Sequence, residues 1–164
     1  RIGTSKAGYV ILGSAGNPPA RLGMERLLQA LRESRSRDTF RLVGRGSEIF
    51  RGRAPSNVDV LGSVPDSVLD DLLAHTRAVI IAHAPTSGFL TRIVDLNHAK
   101  VPILWFGEYP QIDGFEAYGH AKLADVTNLG DPPAVRATFA APRLRCVEGG
   151  RIEPDVVAWG SPSG

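Results

Sequence analysis

The chain alternates short apolar runs with longer stretches of helical period. Tyr9 to Leu12 is a continuous apolar run stopped by Gly13, the reading of a parallel strand buried on both sides. A loop, Gly13 to Pro19, follows, and from Arg21 to Arg35 the apolar residues Leu22, Leu27, Leu28 and Leu31 keep a helical spacing. The pattern then repeats. Strands are predicted at Phe40–Val43, Val58–Leu61, Ala78–Ala82 and Pro102–Phe106, and a sixth, shorter one within Ala121–Thr127. Helices are predicted from an Asp66 cap to His75, from Ser87-Gly88 to about Ala99, and over Pro133–Ala140. Strands separated by helices of this length call for a parallel sheet with crossover helices. The expectation is therefore an α/β, Rossmann-like, doubly wound parallel sheet of five or six strands with helices on both faces. It is read as a single domain over 1–164, with irregular termini at 1–7 and 142–164, where Gly, Pro, Ser and Arg lack a period.

In such sheets ligands gather beyond the carboxyl ends of the strands, near the switch in strand order. Those ends are Gly13–Asn17, Gly44–Ser47, Gly62–Val64, His83–Gly88 and Gly107–Tyr109, and each of them contains glycine. The stretch with the most chemistry is Thr86 to Asp95. Ser87 is a suitable cap, free amides at a helix start favour an anion, and Arg92 and Asp95 share a helix face three residues apart. A cation and a carboxylate beside such a helix start suit the phosphates and ribose hydroxyls of a nucleotide; a surface ion pair is the alternative.

Composition narrows the classes. Lys plus Arg is 19 and Asp plus Glu is 17, a net charge of +2, too balanced to indicate nucleic acid by bulk charge. The single cysteine, Cys146, allows no internal disulfide, and the four histidines, His75, His83, His98 and His120, lack metal-like spacing, so neither a metal nor a cofactor is expected. Gly13-Ser14-Ala15-Gly16 departs from the glycine pattern of nicotinamide-binding turns, and no phosphate-loop, serine-elbow or zinc-helix motif occurs. No apolar run approaches the ~20 residues of a membrane span, and the start, Arg1 to Lys6, has no signal-peptide character. A cytoplasmic chain is expected, with peripheral membrane contact as an alternative suggested by the Arg32–Arg37 stretch. The start without Met reads as a fragment or processed piece.

The segment from Ser87 through Pro102, the run Asn57 to Asp66, and the strand and loop Tyr9 to Pro19 together resemble the donor half of retaining, group 1 type GT-B-fold glycosyltransferases over roughly residues 8 to 130. That resemblance implies the C-terminal, nucleotide-sugar-binding domain of such an enzyme, with an N-terminal acceptor-binding domain as its missing partner. It implies Gly13, Ser14 and Asn17 at the phosphates, the Val64 backbone at the base, and Ser87, Gly88 and Arg92 at the donor sugar and pyrophosphate. Asp95 stands where the family has a ribose-binding Glu; His83, closing the fourth predicted strand, is expected to face the crevice as a ligand contact, with a structural role as the alternative. The chain departs from the pattern at Ser87, where an acidic residue is common, at Asp95, and at Lys100, where a Gly precedes Val-Pro. No catalytic residue is assigned, and the piece alone is not expected to be active. The alternatives are a non-catalytic, degenerate module of the same fold binding a nucleotide or a partner domain, and a nucleotide-sugar epimerase.

Overall fold

A computed structural model describes residues 7–82, 87–107, 115–138, 144–147 and 151–154. The elements in order are β1 (Tyr9–Leu12), α1 (Pro18–Glu33), β2 (Phe40–Val43), a 3-10 turn (Ser47–Phe50), β3 (Val58–Gly62), α2 (Asp66–His75), β4 (Ala78–Ile81), α3 (Ser87–His98), β5 (Ile103–Trp105), a second 3-10 turn (Phe115–Tyr118), β6 (His120–Lys122), β7 (Leu144–Val147) and β8 (Arg151–Pro154). The first six strands form one parallel sheet in the order β3-β2-β1-β4-β5-β6. This is the doubly wound order, and its direction reverses between β1 and β4. β7 and β8 pair antiparallel as a separate ribbon, in a stretch whose sequence has no clear period.

Alternation along the strands sends side chains into two cores. Tyr9, Ile11, Phe40, Leu42 and Ile80 face α1, which buries Ala20, Met24, Leu27, Leu28 and Leu31 against them. Each of the four large α1 side chains contributes about 2 kcal/mol by leaving water. Val10, Val79, Ile81, Ile103 and Trp105 face the other way, against Leu69 of α2 and Ile93 and Leu96 of α3. Helices thus lie on both sides of the sheet.

The bounds of β3, β4 and β5 shift by one residue at one or both ends, and the sixth strand is His120–Lys122 rather than a segment within Ala121–Thr127; three further differences have a local cause. α1 starts at Pro18, because prolines at the first helical positions lack only donors that have no partner there anyway. Asp66 is the first helical residue and Pro65 the cap, with no side-chain capping bond. The expected helix over Pro133–Ala140 is absent from 133–138; its last two residues lie outside the described residues. The amides of Arg136 and Ala137 instead donate to the Ala117 carbonyl at 2.8 and 2.9 Å. The carbonyl of Ala137 accepts from Asn97 Nδ2 at 3.0 Å. These long-range bonds use the groups a helix would need.

The chain after β6 forms a strap. Leu123, Val126 and Leu129 pack into the α1-side core. The Gly130 carbonyl then accepts from Arg77 Nη2 at 3.1 Å and from the Tyr9 hydroxyl at 3.4 Å. Arg77 also meets Asp131 at 3.4 Å and Asp38 at 3.8 Å, and its guanidinium stands 5.3 Å from the Tyr9 ring centre. The strap thus leaves the carboxyl end of β6, where the Leu123 amide donates to the Trp105 carbonyl at 2.8 Å, runs along the α1 side of the sheet and reaches the amino edge at Gly130 and Asp131.

Candidate functional site

The carboxyl-end rim is stitched together by main chain. The Gly13 amide donates to the Val43 carbonyl at 3.1 Å, Ala15 to Arg45 at 2.9 Å, and Gly44 to Gly62 at 2.9 Å. These bonds join the loops after β1, β2 and β3 into one surface. Gly44 sits at φ 145°, and a Cβ there would overlap the Gly13 carbonyl, so only glycine lets these two loops approach. Ser14 Oγ reaches the Arg45 carbonyl at 3.4 Å.

Glu48 joins this rim without having stood out in the sequence. It lies in the 3-10 turn after β2, and its carboxylate accepts the Ser63 amide at 2.9 Å. That hydrogen bond holds the Glu48 carboxyl below its ordinary pKa. The contact clamps the loop after β3 onto the loop after β2. An acidic residue in the first turn after Gly44-Arg45-Gly46 was the only signal available.

Gly13, Ser14 and Asn17 are half-buried in the loop between β1 and α1. Three amides of this loop are engaged: Gly13 and Ala15 by neighbouring carbonyls, and Asn17 by the Ser14 carbonyl at 3.2 Å. Pro18 and Pro19 have none. Among the described residues, the Ser14 and Gly16 amides donate to no carbonyl, so this loop offers an anion few donors. Asn17 occupies the cap position of α1 with no side-chain capping bond. Val64 packs on the α2 side of the core, and among the described residues its backbone amide and carbonyl have no hydrogen-bond partner.

α3 begins at Ser87, with Gly88 in its first turn, directly after the strand that neighbours β1. His83 lies outside the described residues, with the rest of 83–86. Arg92 and Asp95 are both exposed, and among the described residues no ion pair joins them. Helical side chains lean toward the amino end of their helix, which biases Arg92 toward the rim. The topology therefore brings the Gly13–Asn17 loop, Val64 and the start of α3 to one edge, with β1 and β4 adjacent at the switch in strand order.

A groove of about 620 Å³ lies at the opposite, amino edge, lined by Arg77, Lys100 and the strap residues Asp131–Val135. The Arg77 charge is already met there by Asp38 and Asp131, so it carries little pull on a ligand. Among the described residues no group of His, Cys, Asp and Glu is placed to hold a metal, and no helix is long and apolar enough to cross a membrane.

No family model matches the chain, and no curated protein matches it in sequence. Among solved structures it is similar to AviGT4, a glycosyltransferase involved in avilamycin A biosynthesis, with 18% identity and a TM-score of 0.49 over 77% of this chain and 40% of that one. It is also similar to the glycosyltransferase SnogD from Streptomyces nogalater, with 24% identity and a TM-score of 0.46 over 79% of this chain and 34% of that one. The chain spans well under half the length of either. The class defined by the strand order and two-sided helical packing is a Rossmann-like α/β domain.

Proposed function

We propose that the chain is the donor-binding half of a glycosyltransferase and holds a nucleotide diphosphate sugar at the carboxyl edge of its sheet. The observation that carries this reading is the adjacency of β1 and β4 at the switch in strand order. It sets two of the segments that resemble donor-site motifs, Gly13–Asn17 and the start of α3, on one rim. The Ser14 and Gly16 amides, the first amides of α3 and the Arg92 guanidinium would meet the diphosphate, whose charge grows as the sugar leaves. Asp95 would accept from the ribose hydroxyls, and the unpartnered Val64 backbone would read the base edge. The acceptor would be held by a second domain.

The second reading is a module of the same fold without chemistry. It is favoured by the few donors left in the β1 loop, where three amides are engaged and two residues are prolines. Calorimetric titration with nucleotide diphosphates and nucleotide-sugars separates the two. The donor reading expects binding to nucleotide-sugars that weakens at least about tenfold in Arg92→Ala, the loss of one charge-assisted contact. Binding of the bare nucleotide alone, with no gain from an attached sugar, supports the non-catalytic module. Saturating ligand with Arg92→Ala unaltered removes Arg92 from the site.

A further inference from the structure

Charge is not spread evenly over this domain. Between Arg21 and Arg53 there are nine arginines and four carboxylates, a local charge of +5 in a chain whose total is +2. The rest of the chain is therefore net acidic, and α2 on the opposite face contributes the exposed Asp66, Asp70 and Asp71. Within the basic stretch, Arg26 lies on α1, Arg35 and Arg37 on the connection after it, and Arg53 just beyond the 3-10 turn; all are exposed. The Arg32 guanidinium donates to the Arg53 carbonyl, which brings the cations of α1 and of that turn side by side.

The same stretch of chain holds two of the three exposed large apolar side chains among the described residues: Leu22 on α1 at 47%, and Ile49 at 42% in the 3-10 turn whose Phe50 and Arg53 lie beside α1. Leu22 stands one helical turn from Arg26. Apolar side chains protruding among arginines suit a lipid interface, where hydrocarbon enters below the headgroups and cations meet the phosphates. A nucleic-acid surface would instead offer rings for stacking. The aromatic side chains between Arg21 and Arg53, Phe40 and Phe50, are both buried, at 1% and 2% exposure.

We infer that the α1 face of the domain docks on an anionic lipid bilayer, with the arginines at the headgroups and Leu22 and Ile49 dipping below them. Each basic residue near such a surface contributes about 1 kcal/mol, weakened by salt. The inference does not rest on the proposed donor site, which was assigned to the carboxyl edge of the sheet.

The test is co-sedimentation of the chain with phosphatidylcholine vesicles, with and without phosphatidylglycerol. Binding is expected only with the anionic lipid, falling as salt is raised. The triple variant Arg26→Glu, Arg35→Glu, Arg37→Glu should weaken it by at least about tenfold. Leu22→Ser with Ile49→Ser should weaken it by about tenfold as well, through lost apolar insertion. Arg41 is exposed on the face of β2 that points toward α2 and α3. Arg41→Glu, an equal change per residue in bulk charge, should leave vesicle binding as it was. Equal binding to neutral vesicles, no binding to anionic ones, or insensitivity to the triple variant each overturns the inference. So does tight binding to oligonucleotides without any to vesicles, which would make the face a nucleic-acid surface.

Discussion

His120 sits on β6 fully closed from solvent, stacked on Trp105, whose indole Nε1 donates to its Nδ1 at 2.9 Å. Indole only donates, so that nitrogen is the acceptor and the ring is neutral. Burial pushes its pKa down to about 4 from the ordinary 6.5. Between these values the unfolded chain takes up the proton and the folded chain does not. Stability is therefore fully present above pH 6.5 and drains as the pH falls toward 4, by about 3 kcal/mol. Urea unfolding midpoints across that window should show the slope, and His120→Phe should remove its contribution while lowering stability at neutral pH by about 1–3 kcal/mol, since the indole N–H loses its partner. An unchanged slope in the variant would assign the acid sensitivity elsewhere. Lys100 is a second residue with a measurable signature. It follows α3 at φ 56°, with the Val101 amide bonded to the Leu96 carbonyl and the Lys100 amide to Asn97, both at 2.9 Å. This is the terminal loop geometry that favours glycine. Lys100→Gly relieves about 1–2 kcal/mol of backbone strain and adds part of that to unfolded-state entropy, for a net gain of roughly 0.5–1 kcal/mol. A thermal scan should show a higher midpoint; a lower one would mean that the lysine side chain holds the strap.

At the scale of elements, the strap decides what a helix prediction could not. Gly119, at φ 80°, precedes β6, and a Cβ there would come within 2.6 Å of Val135 Cγ2. Gly119→Ala should destabilise the protein by about 1–3 kcal/mol through strain and overlap. Hydrogen exchange should speed at the Arg136 and Ala137 amides first, leaving β1 and β4 protected. Adding Val135→Ala should restore part of the loss, because the overlap is removed and only the backbone strain remains. The sheet itself was legible because fully buried parallel strands read as unbroken apolar runs, as at Tyr9–Leu12 and Ala78–Ile81. The segment after β6 was not. Ala134 to Ala137 has ordinary helical composition, yet its conformation is set by Ala117 and Asn97, which are distant in sequence. The candidate rim was legible as a set of glycine-bearing strand ends. The bonds that make them one surface were not, since the pairing of Gly44 with Gly62 and of Glu48 with Ser63 depends on strand register.

For the molecule as a whole, the reversal between β1 and β4 and the rim it creates lead to a prediction about stability rather than chemistry. A ligand that binds only the folded domain stabilises it by an amount set by its concentration and affinity. At a concentration about a hundredfold above Kd this is roughly 2.7 kcal/mol, enough to raise the midpoint by about 5–10 °C in a domain of this size. The proposed donor function expects nucleotide-sugars to raise the thermal midpoint of the chain. Arg92 is exposed and, among the described residues, joins no ion pair, so Arg92→Ala should leave the ligand-free midpoint where it was. The ligand-induced rise alone should shrink. Asp38→Asn, at the amino edge beside Arg77, is the counterpart: it should lower the ligand-free midpoint slightly and leave the rise intact. If the two variants exchange these behaviours, the ligand lies in the groove under the strap, and the carboxyl edge is a structural surface.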